Sequence, residues 1–302
     1  MFFNELDVLE VRFAELDPVV DRFVVVEAAF THSGARKPLF FEEHKARFAP
    51  WREKIVHHVL REMPIAEVRG LEDRARLESF QREAIRDALA PLGLSPRDIV
   101  LVSDADEIPR ASTIPTLSHR LAQAKYAVFV QRFLPHYVNL AWTGGAPPTW
   151  LGTVACRYRT IEKSGPHRAR RGGNRAGVLL GARDPRWEYV ENGGWHLTWM
   201  GGAEASWTKA QNVFEILERA SGLRDLGPPQ PIQPFPADVT REECRALQAR
   251  YLAEAESPTF TPLDFDRFEI AGDLPEHLLR HKERFRRWFF FTSGLGEPAP
   301  GG

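Results

Sequence analysis

The amino-acid sequence predicts an α/β fold with a mixed central sheet, and two observations support this prediction. Over the first hundred residues, short runs of consecutive apolar residues, typical of buried strands, alternate with helical patterns. After about residue 125, longer strand-like runs are separated by Gly/Pro turns. The first part therefore favours a mainly parallel arrangement, and the second part an antiparallel or mixed one.

The first elements follow from the spacing of apolar residues. These residues recur at helical spacing from Leu6 to Leu16, and Pro18 ends the pattern because proline cannot continue a helix. The β-branched run at 23–26 predicts a buried strand, and 54–60 predicts a second one. A segment rich in Arg, Glu, Ala and Leu then predicts a helix over 72–89.

The remaining elements are predicted in the same way. Ile99 to Val102 is a third buried strand, and longer strands are expected over 126–138 and 151–159. Further along the chain, we expect a helix over 203–220 and a last helical region over 276–290.

The domain organisation is predicted from composition. The segment from Pro228 to Pro236 is rich in proline and is the candidate linker. We therefore expect a main domain over 1–225, a helical extension over 226–290 that packs on it, and a disordered Gly/Pro-rich tail over 291–302.

Composition excludes several classes of protein. The 40 Lys and Arg residues nearly cancel the 41 Asp and Glu residues, so no global charge favours nucleic acid or an anionic membrane. No segment approaches the ~20 apolar residues that span a bilayer, and the first residues carry acid where a signal peptide carries base. The two cysteines, Cys156 and Cys244, form no disulfide framework or zinc motif. We expect a cytoplasmic protein in a reducing compartment.

The strongest chemical signal is a pair of carboxylates directly after the third predicted strand. Asp104 and Asp106 can both point toward one cation if the chain stays extended there. Carboxylate oxygens suit Mg²⁺ or Mn²⁺, and such a cation can neutralise a departing diphosphate. The alternative interpretation is a strand end with two solvated acids. We favour the metal site because the pair follows four apolar residues and precedes a third acid, Glu107, and Pro109.

Two further segments could complete this site. After Gly193 and Gly194, which allow close approach of a ligand, His196 could contact metal or phosphate and Trp195 could stack on a sugar. The alternative is a turn followed by a strand with a core tryptophan. In the helix before the Asp strand, Arg82 could pair with phosphate and Gln81 could contact a base edge, or Arg82 could lie on a solvated face.

Short motifs along most of the chain, taken in this order, resemble those of a known family. The motifs are Phe2 to Asp7, Glu15 to Asp21, Phe23 to Glu27, Thr31 to Gly34, Lys37 to Leu39, Phe48, Gln81-Arg82, Ser103 to Pro109, Trp150 with Gly152, Gly193 to His196, and Leu274-Pro275 with the helix after it. Each motif is short, but in this combination they resemble glycosyltransferase family 17.

The resemblance implies a GT-A-like, Rossmann-type nucleotide-sugar-binding fold. It also implies a nucleotide-sugar donor, UDP-GlcNAc being the family's known one, a Mn²⁺ or Mg²⁺ cofactor, and transfer of the sugar to a glycan acceptor. Carried over to this sequence, the donor-binding positions are Glu27, Thr31, His32, Lys37, Gln81, Arg82, Asp104 and Trp195. Glu83 departs from the family, whose members more often carry Asn after Gln-Arg, and Asn212 and Phe214 lie where relatives often show a His.

An inverting transfer needs one base that deprotonates the acceptor hydroxyl. Glu107, Glu191, Glu204 and Glu215 are candidates, and we favour Glu191 because it directly precedes the Gly-Gly-Trp-His segment. The sequence does not indicate an oligomeric state.

Other classes of protein could carry the same Asp-x-Asp pattern. A haloacid-dehalogenase-type phosphatase would use Asp104 as a nucleophile and needs a later Lys and a distal acid pair, for which Asp264 and Asp266 are a poor match. A sugar nucleotidyltransferase needs a Gly-rich basic loop, of which 33–37 is a poor version. A glycan-binding module would not need the Asp pair.

Overall fold

The structure, a computed structural model, describes residues 1–135, 137–142, 149–171, 187–198, 200, 268–270 and 272–289. The helix predicted over 203–220, the linker at 228–236 and the tail at 291–302 lie outside the described residues. The same holds for Glu204 and Glu215.

Helices and strands alternate from α1 to β3, as the sequence patterns predict, and strands then follow one another more often. The helices are α1 (Leu6–Leu16), α2 (Phe40–His44), α3 (Leu71–Leu89), α4 (Leu117–Gln123), α5 (Tyr158–Ser164) and α6 (Glu276–Arg280). The strands are β1 (Phe23–Ala28), β2 (Ile55–Leu60), β3 (Ile99–Val102), β4 (Glu107–Pro109), β5 (Tyr126–Pro135), β6 (Leu140–Trp142), β7 (Thr149–Arg157), β8 (Trp187–Val190), β9 (Gly194–Thr198) and β10 (Phe268–Ile270). Residues 166–171 are also helical.

The first two strands form a parallel pair that α3 covers. β1 and β2 pair from Phe23 with Ile55 to Ala28 with Leu60. On α3, Ala84 and Ala88 pack against Val26 of β1, because small side chains let the helix approach the strand closely. The parallel prediction is confirmed for this pair.

A six-stranded mixed sheet holds the rest of the core. Its order is β3-β7-β5-β9-β4, with β8 also paired with β5. β3 pairs antiparallel with β7, so the expected parallel arrangement does not extend to β3. Val100 and Val102 of β3 pack with Val154 and Cys156 of β7, and this shared apolar face stabilises the pairing.

Two strands follow one another along β5. β8 is parallel to its first half and β9 is parallel to its second half. The connecting turn has Asn192 at φ 51° and Gly194 at φ 124°. A Cβ on Gly194 would lie 2.1 Å from the carbonyl oxygen of Ile108 in β4, so a side chain would prevent β4 and β9 from pairing. The glycine predicted to admit a ligand therefore admits a neighbouring strand.

The carboxy-terminal residues join the same core as α1. Leu278, Phe285 and Trp288 pack with Val8 and Val11 of α1. The helix predicted over 276–290 is shorter than expected, because α6 ends at Arg280 and a 3₁₀ turn follows only at Arg286–Trp288. The polar residues at 281–284 between them are exposed.

The described residues therefore form a mixed α/β structure, as predicted. The finer prediction of a GT-A-like, Rossmann-type arrangement stays a prediction. Within the part of the chain that the structure describes, no helix is long and apolar enough to cross a bilayer.

Candidate functional site

The candidate site is built around the turn that joins β3 to β4. Asp104 follows β3 at this turn, where the Glu107 amide donates to the Asp104 carbonyl at 3.2 Å. Asp106 is held against β9, because its carbonyl accepts a hydrogen bond from the amide of Leu197 at 2.8 Å. Two buried strands thus fix the backbone of both predicted metal ligands.

Positive charges surround the Asp104 carboxylate. Its Oδ1 lies 3.2 Å from Nη2 of Arg82 and 3.7 Å from the amino group of Met1, and its Oδ2 lies 3.7 Å from Nη2 of Arg170. Burial alone raises the pKa of Asp104, but the charges of Arg82, the amino group and Arg170 outweigh burial and hold the pKa well below its ordinary value. Asp104 is therefore an anion at any physiological pH.

Arg82 is buried at the centre of this charge cluster. Only 2% of it is exposed, so the alternative of a solvated helix face is wrong. Its Nη1 donates to Oε1 of Glu78 at 2.7 Å and contacts Nδ1 of His167 at 3.3 Å. The neighbouring Gln81 is also buried, and its amide contacts the carbonyl of Phe30 at 3.4 Å.

Glu107 is buried next to the Asp pair. Its Oε1 accepts hydrogen bonds from Nε1 of Trp150, at 2.7 Å, and from Nη2 of Arg170, while its Oε2 accepts one from the Asp104 amide at 3.2 Å. Burial raises the pKa of Glu107 above its ordinary value; Arg170 opposes this rise and Asp104 adds to it. These donors fix the carboxylate toward the turn, which fits an orienting role.

His196 faces the same site from β9. It pairs with Glu107 in the strand register, and its Nε2 lies 3.6 Å from Oδ2 of Asp106. Its ring contacts Trp150 at 4.6 Å between centroids and Phe133 at 5.5 Å. Its Nδ1 is buried and makes no hydrogen bond. The ring nitrogen that faces the Asp pair is therefore Nε2.

The residues present fit a divalent cation that takes some of its ligands from the protein and the others from a substrate and water. Within the described residues, no group of three or more His, Cys, Asp and Glu side chains is placed to hold a metal by itself. Mg²⁺ is commonly held by one or two carboxylates together with substrate phosphates and water. Asp104 and Asp106 supply such a pair, and Nε2 of buried His196 lies beside it, 3.6 Å from Oδ2 of Asp106.

The residues near β1 that are predicted to bind the nucleotide-sugar donor fall into two groups. His32 is buried near the Asp104 cluster; burial lowers its pKa to about 4, and the charges of Glu78, Arg82 and Asp104 act on it as well. Thr31 precedes it, and its hydroxyl hydrogen-bonds with that of Ser33 at 2.7 Å.

The second group, Glu27 and Lys37, is packed into the fold. Glu27 accepts the Phe41 amide at 2.8 Å and contacts Nε2 of His57 at 3.0 Å, which anchors α2 to β1 and β2. Nζ of Lys37 lies 3.7 Å from Oε1 of Glu27. The contacts of these two residues therefore belong to the support of the fold.

Two other predicted site residues lie away from the Asp turn. Trp195 is 2% exposed in the core, donates from Nε1 to the Asp273 carbonyl at 2.7 Å and is covered by Arg110 at 4.3 Å. Glu191 is exposed in the turn before Gly194, at the opposite end of β4 from Asp104. The structure thus brings His196 to the site and directs Trp195 to the other face of β9.

Two arginines at the site, and a role for Trp150, are not predicted from the sequence. Arg170 lies in the helical residues 166–171 and contacts both Asp104 and Glu107. Arg12 of α1 reaches the turn from the other side, where its Nη2 donates to the Ser103 hydroxyl at 2.6 Å. The basic run at 167–171 was the available signal for Arg170, whereas a single arginine in an amphipathic helix gives none.

An apolar cleft of about 480 Å³ opens beside the turn. It lies between β1 and β3 and is lined further by α1 and α3, and Arg12, Ser103 and Asp104 are among its lining residues. The Asp turn therefore borders this cleft as well as the charge cluster.

Comparison with known proteins places the likeness in the amino-terminal part of the chain. Residues 1–130 match the model of Glycosyltransferase family 17. Over 110 residues, the chain is 37% identical to the β-1,4-mannosyl-glycoprotein 4-β-N-acetylglucosaminyltransferases of Homo sapiens and Rattus norvegicus, and 36% identical to that of Mus musculus. The match covers 35% of this chain and 20% of each relative, so the chain spans about a fifth of their length. No solved structure matches.

Proposed function

We propose that the chain is a member of glycosyltransferase family 17, whose model its residues 1–130 match, and that it transfers a sugar from a nucleoside-diphosphate sugar to a carbohydrate hydroxyl. By analogy with the names of the relatives, the sugar is GlcNAc, and the donor is then UDP-GlcNAc. The proposed acceptor is a glycan, and transfer inverts the anomeric centre.

The observation that carries the proposal is the arrangement at the Asp turn. The family match includes Asp104 and Asp106, and the structure surrounds this pair with the buried side chains of Arg82, Arg170 and His196. Carboxylates for a divalent cation and guanidiniums for phosphate are the groups that a nucleoside-diphosphate leaving group requires.

Each group has a proposed role. Asp104 and Asp106 would hold Mn²⁺ or Mg²⁺, and His196 would contact the cation or a phosphate oxygen. When bound, the cation would neutralise charge on the leaving diphosphate. Glu107 orients the Asp turn and Arg170 through the contacts described above.

Two acids in the described residues remain as proposed bases. Glu107 lies at the site, and its raised pKa suits proton transfer, but its oxygens already accept three hydrogen bonds. Glu191 is exposed and lies beyond the other end of β4. We therefore prefer Glu107 to Glu191. A Glu107→Gln variant that transfers sugar at the wild-type rate would reverse that preference.

The activity can be tested with the purified full chain. Release of the nucleoside diphosphate from UDP-, GDP- and dTDP-sugars is measured with Mn²⁺, with Mg²⁺ and with EDTA. We expect metal-dependent hydrolysis of UDP-GlcNAc, lost in the Asp104→Asn, Asp106→Asn double variant and retained in Asp98→Asn. Asp98 is exposed at the start of β3, so its substitution makes the same change of charge away from the site. Absence of hydrolysis with every donor, or hydrolysis retained in the double variant, would contradict the proposal.

A phosphatase is less consistent with the described contacts. It would need a lysine beside a nucleophilic Asp104, whereas the cations in contact with Asp104 are two arginines and the amino group of Met1. A cytoplasmic location and the domain division at residues 225 and 290 remain part of the proposal.

A further inference from the structure

The carboxylate of Asp104 is neutralised by two guanidiniums that come from different elements. Arg82 projects from α3 and lies 3.2 Å from Oδ1, and Arg170 projects from the 166–171 helix and lies 3.7 Å from Oδ2. Both arginines are at most 2% exposed. A charge buried to this extent is costly unless a counter-ion stays in contact with it.

Each arginine also has a second acidic partner that holds it at the site. Arg82 donates to Glu78 at 2.7 Å, and Arg170 donates to Glu107. The two arginines therefore remain beside the Asp turn even when their contact with Asp104 is lost. They are positioned to pair with a different anion at the same place.

A divalent cation on Asp104 competes with both guanidiniums. In the absence of a further anion, it meets two like charges a few ångströms away in a poorly solvated site. A diphosphate removes this conflict, because its oxygens can accept from both arginines as well as bind the cation.

We propose that Arg82 and Arg170 exchange partners when the donor binds: they neutralise Asp104 before the donor arrives, and pair with the diphosphate once a divalent cation holds Asp104. This inference rests on the proposed function and adds which anion the two arginines pair with before and after the donor binds. The arginines weaken binding of the cation alone and strengthen binding of the cation together with the nucleotide. Binding of the cation and binding of the nucleotide therefore strengthen each other.

The first experiment looks for effects of opposite sign in one variant. Calorimetry measures the affinity for Mn²⁺ alone, and then for UDP in saturating Mn²⁺, in wild type, Arg82→Met and Arg170→Met. We expect Mn²⁺ alone to bind at least about five-fold more tightly in each variant, and UDP to bind at least about five-fold more weakly, at the lower end of measured couplings between sites. Arg76→Met is the matched control, because Arg76 is exposed on the same helix and its removal leaves both affinities unchanged.

The second experiment does not require the arginine variants to fold. UDP affinity is measured in EDTA for wild type, Asp104→Asn and the charge control Asp98→Asn. Because Asp104→Asn leaves both arginines without one acidic partner, we expect it to bind metal-free UDP at least about five-fold more tightly than wild type. If Asp104 served the metal alone, metal-free UDP affinity would be the same in all three proteins, and that result would overturn the inference.

The outcomes separate this inference from the proposed function. If wild type binds UDP with Mn²⁺ but the arginine variants bind Mn²⁺ alone no more tightly, the exchange of partners is wrong and the glycosyltransferase proposal stands. If wild type binds no nucleoside diphosphate with or without Mn²⁺, both fail. Circular dichroism spectra and melting temperatures show which variants are folded and can be scored.

Discussion

At the scale of single residues, the charges around Asp104 change the expected effect of removing it. Two neighbouring carboxylates repel each other, so loss of one could be harmless to folding. Asp104, however, contacts Arg82 and Arg170, and both are buried. Truncation leaves two buried cations with fewer partners, and this cost exceeds the relief of repulsion.

We therefore expect Asp104→Ala to lower the free energy of unfolding by roughly 1–3 kcal/mol. This is less than the 3–5 kcal/mol typical of breaking a fully buried pair, because 19% of the Asp104 side chain is exposed. Urea unfolding measures the change, with Asp98→Ala as the control. An Asp104→Ala protein as stable as wild type would show that the arginines are satisfied without Asp104.

His32 gives a prediction about pH. Burial lowers its pKa from the ordinary histidine value of about 6.5 to about 4, so the unfolded chain binds a proton in that interval that the folded chain does not. The contribution of neutral His32 to the free energy of unfolding is fully present above about pH 6.5, and it is lost as the pH falls toward 4. At ~1.36 kcal/mol per pH unit, the total loss is about 3 kcal/mol.

The measurement is urea unfolding at several pH values. His32→Gln is expected to remove this part of the acid destabilisation, whereas His119→Gln, at an exposed position on α4, is expected to keep it. A His32→Gln profile parallel to that of wild type between pH 4 and 6.5 would contradict the assignment.

At the scale of elements, successive side chains of β9 lie on opposite faces of the strand, so that one packs in the core and the next faces the candidate site. Trp195 and His196 point to opposite faces, one into the core and one toward Asp106. We expect Trp195→Ala to cost about 3–5 kcal/mol of stability, as is typical of large aromatic truncations. The surviving folded protein is expected to bind Mn²⁺-UDP as wild type does.

His196→Ala is the matched substitution on the other face. It is expected to reduce the rise in melting temperature that Mn²⁺-UDP produces, with a smaller loss of intrinsic stability. Thermal melting with and without Mn²⁺-UDP measures both quantities in one series. Equal ligand-induced rises in melting temperature in the two variants would show that His196 does not contribute to Mn²⁺-UDP binding.

Local patterns were enough to predict most of the amino-terminal elements. α1, β1, β2, α3 and β3 were all expected within one or two residues of their observed ends, because each has its own apolar period and its own breaker. Strand partners were harder to predict. The antiparallel pairing of β3 with β7 and the placement of β8 and β9 along β5 depend on packing between residues far apart in sequence.

The same contrast applies to the candidate site. Asp104, Asp106 and His196 could be predicted, because a strand end and a glycine turn mark them in the sequence. Arg170 could not be assigned, since only the fold brings the 166–171 helix to the turn after β3. Trp195 was expected near the sugar because a tryptophan after two glycines has no sequence signal that distinguishes stacking from burial.

At the scale of the whole molecule, the carboxy-terminal described residues are part of the main core. Phe285 is 1% exposed and packs with α1, and the Trp288 carbonyl accepts a hydrogen bond from the Val138 amide at 2.8 Å. We expect Phe285→Ala to lower the free energy of unfolding by about 3–5 kcal/mol. Leu279→Ala is the control, because Leu279 is 38% exposed on α6 and its truncation should cost far less. Two separate unfolding transitions in wild type would contradict a shared core.

The apolar cleft between β1 and β3 has a consequence for the response to hydrostatic pressure. Where the apolar walls of this cleft keep water out, its volume is void space that unfolding eliminates, and compression then favours the unfolded chain. Val102 lines the cleft, and Val102→Ile should fill part of it and raise the pressure of half-unfolding as seen by tryptophan fluorescence. Val128→Ile, at a fully buried position outside the cleft, should lower that pressure through overpacking. The difference between these two variants in the pressure of half-unfolding would then report on the packing between β1 and β3 beside the Asp turn.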